Sequence, residues 1–465
     1  MTAGQVSAAR RRDVLDALRR GAVPAAGLDL LAVGLDRFER VATEDLAAVA
    51  AGGSVFKAVR GEYGSGKTFF TRWLADRAKK AGLATAEVQV SENETPLHRL
   101  ETVYRRLTER LATATFPPSA LRQVVDGWFY ALEEDVLAAD EATGSGATGG
   151  SGTGADATGD DAAALDRAVG ELVDRRLADV GRTAPAFAAA LRGYRAALAA
   201  GDEATAAAVL AWLGGQPHVA AAARRAAGVR GDLDHFGALG FLQGLLVVLR
   251  DSGFRGLLVV LDEVETLQRV RSDARDKALN ALRQLIDEVH SGRFPGLFLV
   301  ITGTPAFYDG PQGVARLAPL AQRLATDFTA DPRFDNPRAV QLRLAGFTEA
   351  SLVELGGRVR GLYAAGASGD AAGRIEALVD DAYLGELAGA VAGRLGGKVG
   401  VAPRLFLKKL VGDVLDRVDQ FDDFDPRHDY PLTIGTAEMT DLERNAARNA
   451  AHADARADDI DLDLD

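Results

Sequence analysis

The stretch FKAVRGEYGSGKTFF, residues 56–70, decides how the rest of the chain is read. Inside it, Gly61-Glu62-Tyr63-Gly64-Ser65-Gly66-Lys67-Thr68 matches GxxxxGK[ST] at every fixed position. Each fixed residue type answers a physical need. Glycines let the backbone curl around an anion with its N–H groups pointing inward, in conformations that side chains block. A helix that begins at Lys67 adds the positive end of its dipole. The lysine ammonium can reach the β- and γ-phosphates as a point charge, and the threonine hydroxyl can ligate Mg²⁺. The required context is present, because Ser54–Arg60 reads as a strand and Lys67–Lys80 as a helix. Gly61 to Thr68, with Phe69 beside them, is the candidate ATP site. Lys57 and Arg60 sit oddly in a strand expected to be buried, and are expected near its ends or against a polar layer.

A phosphate loop needs a carboxylate on a second strand. Leu257-Leu258-Val259-Val260-Leu261-Asp262-Glu263 supplies it: the apolar run suits a buried parallel strand, and Asp262 emerges at its C-terminal end, where ligands bind in open α/β sheets. Asp262 is the candidate second group on Mg²⁺, and Glu263 the candidate base for the attacking water. Leu297–Ile301 reads as a further strand, ending in Thr302-Gly303-Thr304-Pro305. A hydroxyl there, Thr302 before Thr304, can orient the water or sense the γ-phosphate; the competing reading is a plain turn. Arg323, with Arg316 as rival, is the candidate finger toward a neighbouring subunit, against a solvated helix face. Arg404, after Pro403, is a candidate γ-phosphate contact in cis, against an ordinary surface arginine.

The chain has 465 residues, a 47% apolar share and a net charge of −12. That composition supports a sizeable core and argues against a blanket nucleic-acid coat. It contains no cysteine, which excludes disulfides, thiolate zinc sites and cysteine nucleophiles. No apolar run is long enough to span a membrane, and the charged N-terminus does not read as a signal peptide, so a cytoplasmic protein is expected. Alternating strands and helices predict a three-layer α/β domain with a parallel sheet. The expected divisions are an N-terminal helical segment at 1–52, the phosphate-loop half of the core at 53–139, and a Gly/Ser/Thr/Asp-rich linker at 140–161. A helical insertion at 162–250, the acidic-strand half at 251–345, a helical lid at 346–420 and an acidic, largely disordered tail at 421–465 follow.

Three apparent motifs are rejected. Gly144–Gly149 satisfies GxGxxG inside the linker, without a strand or helix around it. Trp212-Leu213-Gly214-Gly215-Gln216 resembles a transporter-ATPase signature but lacks its serine. The six histidines show no ligand spacing. The basic cluster Arg10-Arg11-Arg12 with Arg19-Arg20 leaves two readings open, DNA contact or a solvated helix face.

With these residues assembled, the chain resembles the BREX-system ATP-binding protein BrxD family of bacterial phage-defence clusters, from about Arg12 to Asp429. The likeness rests on ALRRGAVPAAGLDLLAVGLDRF (17–38), FKAVRGEYGSGKTFF (56–70), ENETPLHRLETVYRRL (92–107), LLVVLDEVETLQR (257–269) and VAPRLFLKKLV (401–411). It implies an AAA+/ASCE-like P-loop core with a C-terminal helical lid, binding ATP and Mg²⁺. It also implies a motor or switch role beside helicase-like, methyltransferase and phosphatase-like partners, with DNA contact and nucleotide-dependent homo-oligomers as further expectations. It carries over Gly61–Thr68, Asp262 and Glu263, and places Arg404 in the lid. Val33 and Gly34 correspond to the stretch that lines adenine in such proteins. The alternatives are a nucleotide-gated scaffold with little hydrolysis and a DNA-binding regulator.

Overall fold

Short apolar runs between amphipathic helices become five strands of one sheet. The computed structural model describes residues 6–142, 157–394, 403–439 and Arg444. The strands are β1 (Val55–Arg60), β2 (Ala84–Gln89), β3 (Leu257–Asp262), β4 (Leu297–Gly303) and β5 (Gln341–Arg343), in the order β2-β3-β4-β1-β5. Parallel registers set Gln89 opposite Asp262 and Leu257 opposite Leu297. β3 and β4 are buried along their whole length, as continuous apolar runs in a sheet covered on both faces must be. β2 begins where the Ala84 N–H bonds to the Gly256 carbonyl and Thr85 bridges to Ala112.

By contact the chain divides into two compact units, Thr43–Ala58 with Arg77–Ala325, and Met1–Ala42 with Val59–Asp76 and Thr326–Asp465. In the first of these, Phe241 sits among the rings of Tyr104, Phe187 and Trp212 at 5.3–5.7 Å. Edge-to-face packing of this kind adds to the area that the rings bury. Gly244 permits it, since a Cβ there would stand 2.5 Å from the Phe187 ring. The Tyr194 hydroxyl donates to Asp126 at 2.5 Å, tying helix Pro185–Ala199 to helix Leu121–Ala142. The helices therefore lie on both sides of the expected linker in one body. At its ends the expectation is corrected: helices Leu121–Ala142 and Ala157–Arg176 run into the 140–161 stretch. Residues 143–156, with the Gly144–Gly149 match, lie outside the described residues. Lys57 is accommodated by an ion pair with Asp45 at 3.6 Å.

The other unit gathers α-helical segments around one apolar cluster. Val14, Leu15 and Leu18 of helix Ala8–Arg19 pack with Leu352, Val359, Phe406, Leu410 and Val414. Thr348 caps helix Glu349–Ala364, its hydroxyl accepting from the Ser351 N–H at 3.2 Å. Arg60, the other odd residue of β1, lies over the Phe328 ring at 4.7 Å. The basic cluster of the first helix is largely consumed inside this unit. Arg19 makes a two-pronged bond with Asp416 at 2.7 and 2.8 Å, Arg10 pairs with Asp29, and Arg11 donates to the Val6 carbonyl. Of the five, Arg12 and Arg20 are exposed and the other three are part-buried.

Residues 421–439 depart from the expected disordered tail. Leu432, Ile434 and Met439 pack against the apolar cluster, and Glu438 pairs with Lys409 at 2.9 Å and Lys408 at 3.2 Å. Lys409 itself is 4% exposed, in a π-helical stretch Lys409–Leu415, and also pairs with Asp413. The acidic composition thus has a local use, since a buried ammonium requires carboxylates. Burial alone would raise the Glu438 pKa. Hydrogen bonds from Lys409, the Gly435 N–H and Lys408 outweigh it and push the value down to about 2. A depressed carboxylate stabilises the fold above its unfolded value near 4.5 and loses that contribution as pH falls toward 2. Glu438→Gln should therefore melt at a lower temperature at neutral pH and show a shallower loss of stability between pH 4.5 and 2; identical melting curves across that window would remove Glu438 from the account.

Candidate functional site

The phosphate loop closes tightly on itself. Gly64 and Gly66 adopt φ of 80° and 89°, left-handed conformations that favour glycine. A Cβ at Gly61 would stand 2.2 Å from the Ser65 Oγ, so a side chain at the first fixed position would displace that hydroxyl. Lys67 opens helix Lys67–Lys80, and its Nζ folds back to donate to the Gly61 carbonyl at 2.8 Å, above the Tyr63 ring at 5.0 Å. The ammonium is thus held over the loop, beside the N–H groups of the helix start. The Ser65 hydroxyl is buried with no hydrogen-bond partner, an orphan of the kind that a bound oxyanion satisfies.

Around the loop, Phe70 stacks edge-on with Phe38 at 5.3 Å, which links helix Lys67–Lys80 to helix Asp36–Ala50. Gly34, just before that helix, has φ 72° and open space where a side chain would project. Val33 is half-buried against the apolar cluster of this unit. Phe69 is partly buried against the same cluster.

At the tip of β3, Asp262 is 6% exposed and accepts a hydrogen bond from the Thr302 hydroxyl at the tip of β4. The Glu263 N–H donates back to the Thr302 Oγ at 3.1 Å. A hydroxyl has one proton, so that of Thr302 is committed to Asp262. Thr302 is thus the hydrogen-bond partner of the neighbouring carboxylate. The adjacency of β3 and β4 makes the contact possible. Thr304, the second choice, is buried at the N-cap of the short helix Pro305–Asp309.

Glu263 stands at φ 61°, ψ 43°, a left-handed conformation that costs a non-glycine residue on the order of 1 kcal/mol. That twist turns its side chain toward β2, where its Oε2 accepts from Gln89 Nε2 at 2.8 Å. Gln89 is absent from the sequence reading. The signal was available, as a polar residue closing an otherwise buried strand, but its partner is set by the parallel register with Asp262, which periodicity cannot show.

The remaining candidates are tied elsewhere within the chain. Arg323 pairs with Asp287 and donates to the Pro319 carbonyl at 2.7 Å, and Arg316 pairs with Asp276 at 2.5 Å. Arg404 donates to the Glu438 carbonyl at 2.6 Å and lies against Gly21, where a Cβ would stand 2.9 Å from its guanidinium. Among the described residues there is no group of three or more metal-ligating side chains. Of the rejected motifs, Trp212–Gln216 is a helix end, with the indole N–H bonded to the Gly231 carbonyl at 2.9 Å.

Comparison with curated proteins finds no match. Among solved structures, the Aeropyrum pernix ORC2 protein, determined as ADPNP–ADP complexes, is similar at 13% identity, covering 89% of this chain and 78% of that one, with a TM-score of 0.31. A likeness at that score carries no argument about fold or function. The model of a family described as BREX system ATP-binding protein BrxC/D matches residues 6–434. With that match over most of its length, and the phosphate loop and acidic strand it contains, the chain belongs to the BREX system ATP-binding protein BrxC/D family.

Proposed function

We propose that the chain binds Mg·ATP and hydrolyses it to drive a conformational step in a BREX-type defence system. The observation that carries the reading is the loop Gly61–Thr68, with its left-handed glycines and an orphaned Ser65 hydroxyl, between a strand and a helix N-terminus. The donors suit the ligand: backbone amides and Lys67 for the triphosphate, and hard oxygens of Thr68 and Asp262 for magnesium. The metal would neutralise charge on the phosphates.

In the proposed reaction, Glu263 takes a proton from water as the water oxygen bonds to the γ-phosphorus. The bond from that phosphorus to the β–γ bridging oxygen breaks, and ADP leaves. Lys67 holds the oxygens on which negative charge builds, and Thr302 keeps the Asp262 carboxylate aimed. Thr302→Val should then reduce turnover on the order of tenfold while leaving ATP affinity within about threefold, by removing the hydrogen bond that Asp262 accepts and the one that the Glu263 N–H donates. Thr302→Ser, which keeps the hydroxyl, should restore most of it. Equal losses in Val and Ser variants, read by steady-state phosphate release, would mean packing and not the hydrogen bond.

A second reading, a nucleotide-gated scaffold with little hydrolysis, draws support from the engagements of Glu263 with Gln89 and of Arg404 with the Glu438 carbonyl. Phosphate release by the full chain, with and without DNA, separates the two. Linear release with multiple turnovers supports the ATPase; stoichiometric binding without release under both conditions supports the scaffold. Other BREX-system proteins are the proposed partners.

A further inference from the structure

A second cleft lies in the unit formed by Thr43–Ala58 and Arg77–Ala325, lined by residues that the nucleotide reading does not use. Its volume is about 600 Å³, within the range of small-molecule sites. One wall is apolar, with Phe254, Val247 and Pro295; the polar groups are Arg250, Arg255 and Gln243, with the Arg176–Asp251 pair at the edge.

Both arginines are exposed, and glycines beside them leave their side chains room. A Cβ at Gly52 would stand 3.2 Å from the Arg250 guanidinium, and one at Gly296 would stand 3.1 Å from its Cδ. Arg255 runs along Gly82 in the same way, at 3.2 Å, and its N–H bonds to the Gly82 carbonyl at 2.9 Å. All three glycines have left-handed φ, so these turns are shaped to leave the stems room. Among the described residues neither guanidinium has a hydrogen bond or an ion pair. Both arginines line the same cleft, which brings two cationic groups to one wall. The nearby acid does not answer them. Asp251 accepts from the Trp128 indole at 3.4 Å and faces Arg176 at 3.8 Å, which also pairs with Asp135. Gln243 adds a side-chain oxygen that is shut from solvent without a partner.

We propose that this cleft is a second binding site for a phosphate-bearing small molecule, with Arg250 and Arg255 forking onto the phosphate and Gln243 bonding to the remainder of the ligand. Guanidinium forks match phosphate geometry, the apolar wall suits a planar base, and the half-buried Gln243 amide carries both donor and acceptor. The site is independent of the phosphate loop.

The test uses the full chain carrying Lys67→Ala, to silence the loop, titrated calorimetrically with AMP, inorganic pyrophosphate and uncharged adenosine. Saturable binding of AMP or pyrophosphate, weakened at least tenfold by Arg250→Ala with Arg255→Ala and by Gln243→Glu, supports the site. AMP binding well above pyrophosphate identifies a nucleotide ligand; equal binding identifies the phosphate group alone as the recognised feature. No saturable binding of either probe, binding unchanged in both variants, or adenosine binding as tightly as AMP overturns the proposal. Arg250→Lys with Arg255→Lys keeps charge and stem, and should retain partial affinity if the alanine variants fold poorly.

Discussion

Lys67→Ala is expected to weaken ATP binding on the order of 100-fold. A charge-assisted hydrogen bond contributes about 1.5–3 kcal/mol, and each 1.4 kcal/mol is a factor of ten in affinity. Lys67 has two duties to lose. Its ammonium would meet the phosphates, and it tethers the loop through the Gly61 carbonyl at 2.8 Å. Loss of the tether loosens a turn that Gly61 and Ser65 already close to the limit of contact. Equilibrium titration with a fluorescent ATP analogue measures the change. Affinity within threefold of the parent would take the triphosphate away from Gly61–Thr68, and the proposed function with it. Thermal melting of the variant guards against a trivial loss of fold; the helix Lys67–Lys80 is anchored by the buried Phe70 and Trp73 and by the Phe38 ring against Phe70.

Glu263→Gln is expected to bind ATP as the parent does and to turn over at least tenfold more slowly. Positioned general bases contribute about 100- to 10,000-fold, and an amide cannot accept the proton from water. The substitution suits the structure. An amide oxygen can still accept from Gln89 Nε2, and the left-handed backbone at 263 is unchanged, so stability should stay within about 0.5 kcal/mol. The pair of measurements is decisive: a fall in kcat with unchanged nucleotide affinity marks a group acting on the reacting water. A fall in both would mark a structural role, and unchanged turnover would remove Glu263 from the mechanism.

Much of the sheet was legible because its signals are local. GxxxxGKT demands a strand before it and a helix after it, and the five-residue apolar run before Asp262 is too short for most helices and too apolar for a loop. Thr348 before a helical pattern, and the aliphatic spacing of Leu279, Leu282, Ile286 and Val289, needed only nearest-neighbour rules. The tail misled for a physical reason. Its composition is that of a solvated segment, but two basic side chains at 408 and 409 offer Glu438 a partner about thirty residues away in sequence.

The sequence by itself determined the chemistry available: which backbone can curl around a phosphate, which strand ends in paired acids, and which hydroxyl follows the neighbouring apolar run. Only the tertiary structure decided how those groups are committed. Thr302 gives its proton to Asp262, Glu263 turns to Gln89, Arg404 is held by the C-terminal segment, and Arg250 and Arg255 are left open on their cleft. Residue types and local spacing fix what a side chain can do, whereas strand order and register fix which partner lies within the 3 Å that a hydrogen bond requires.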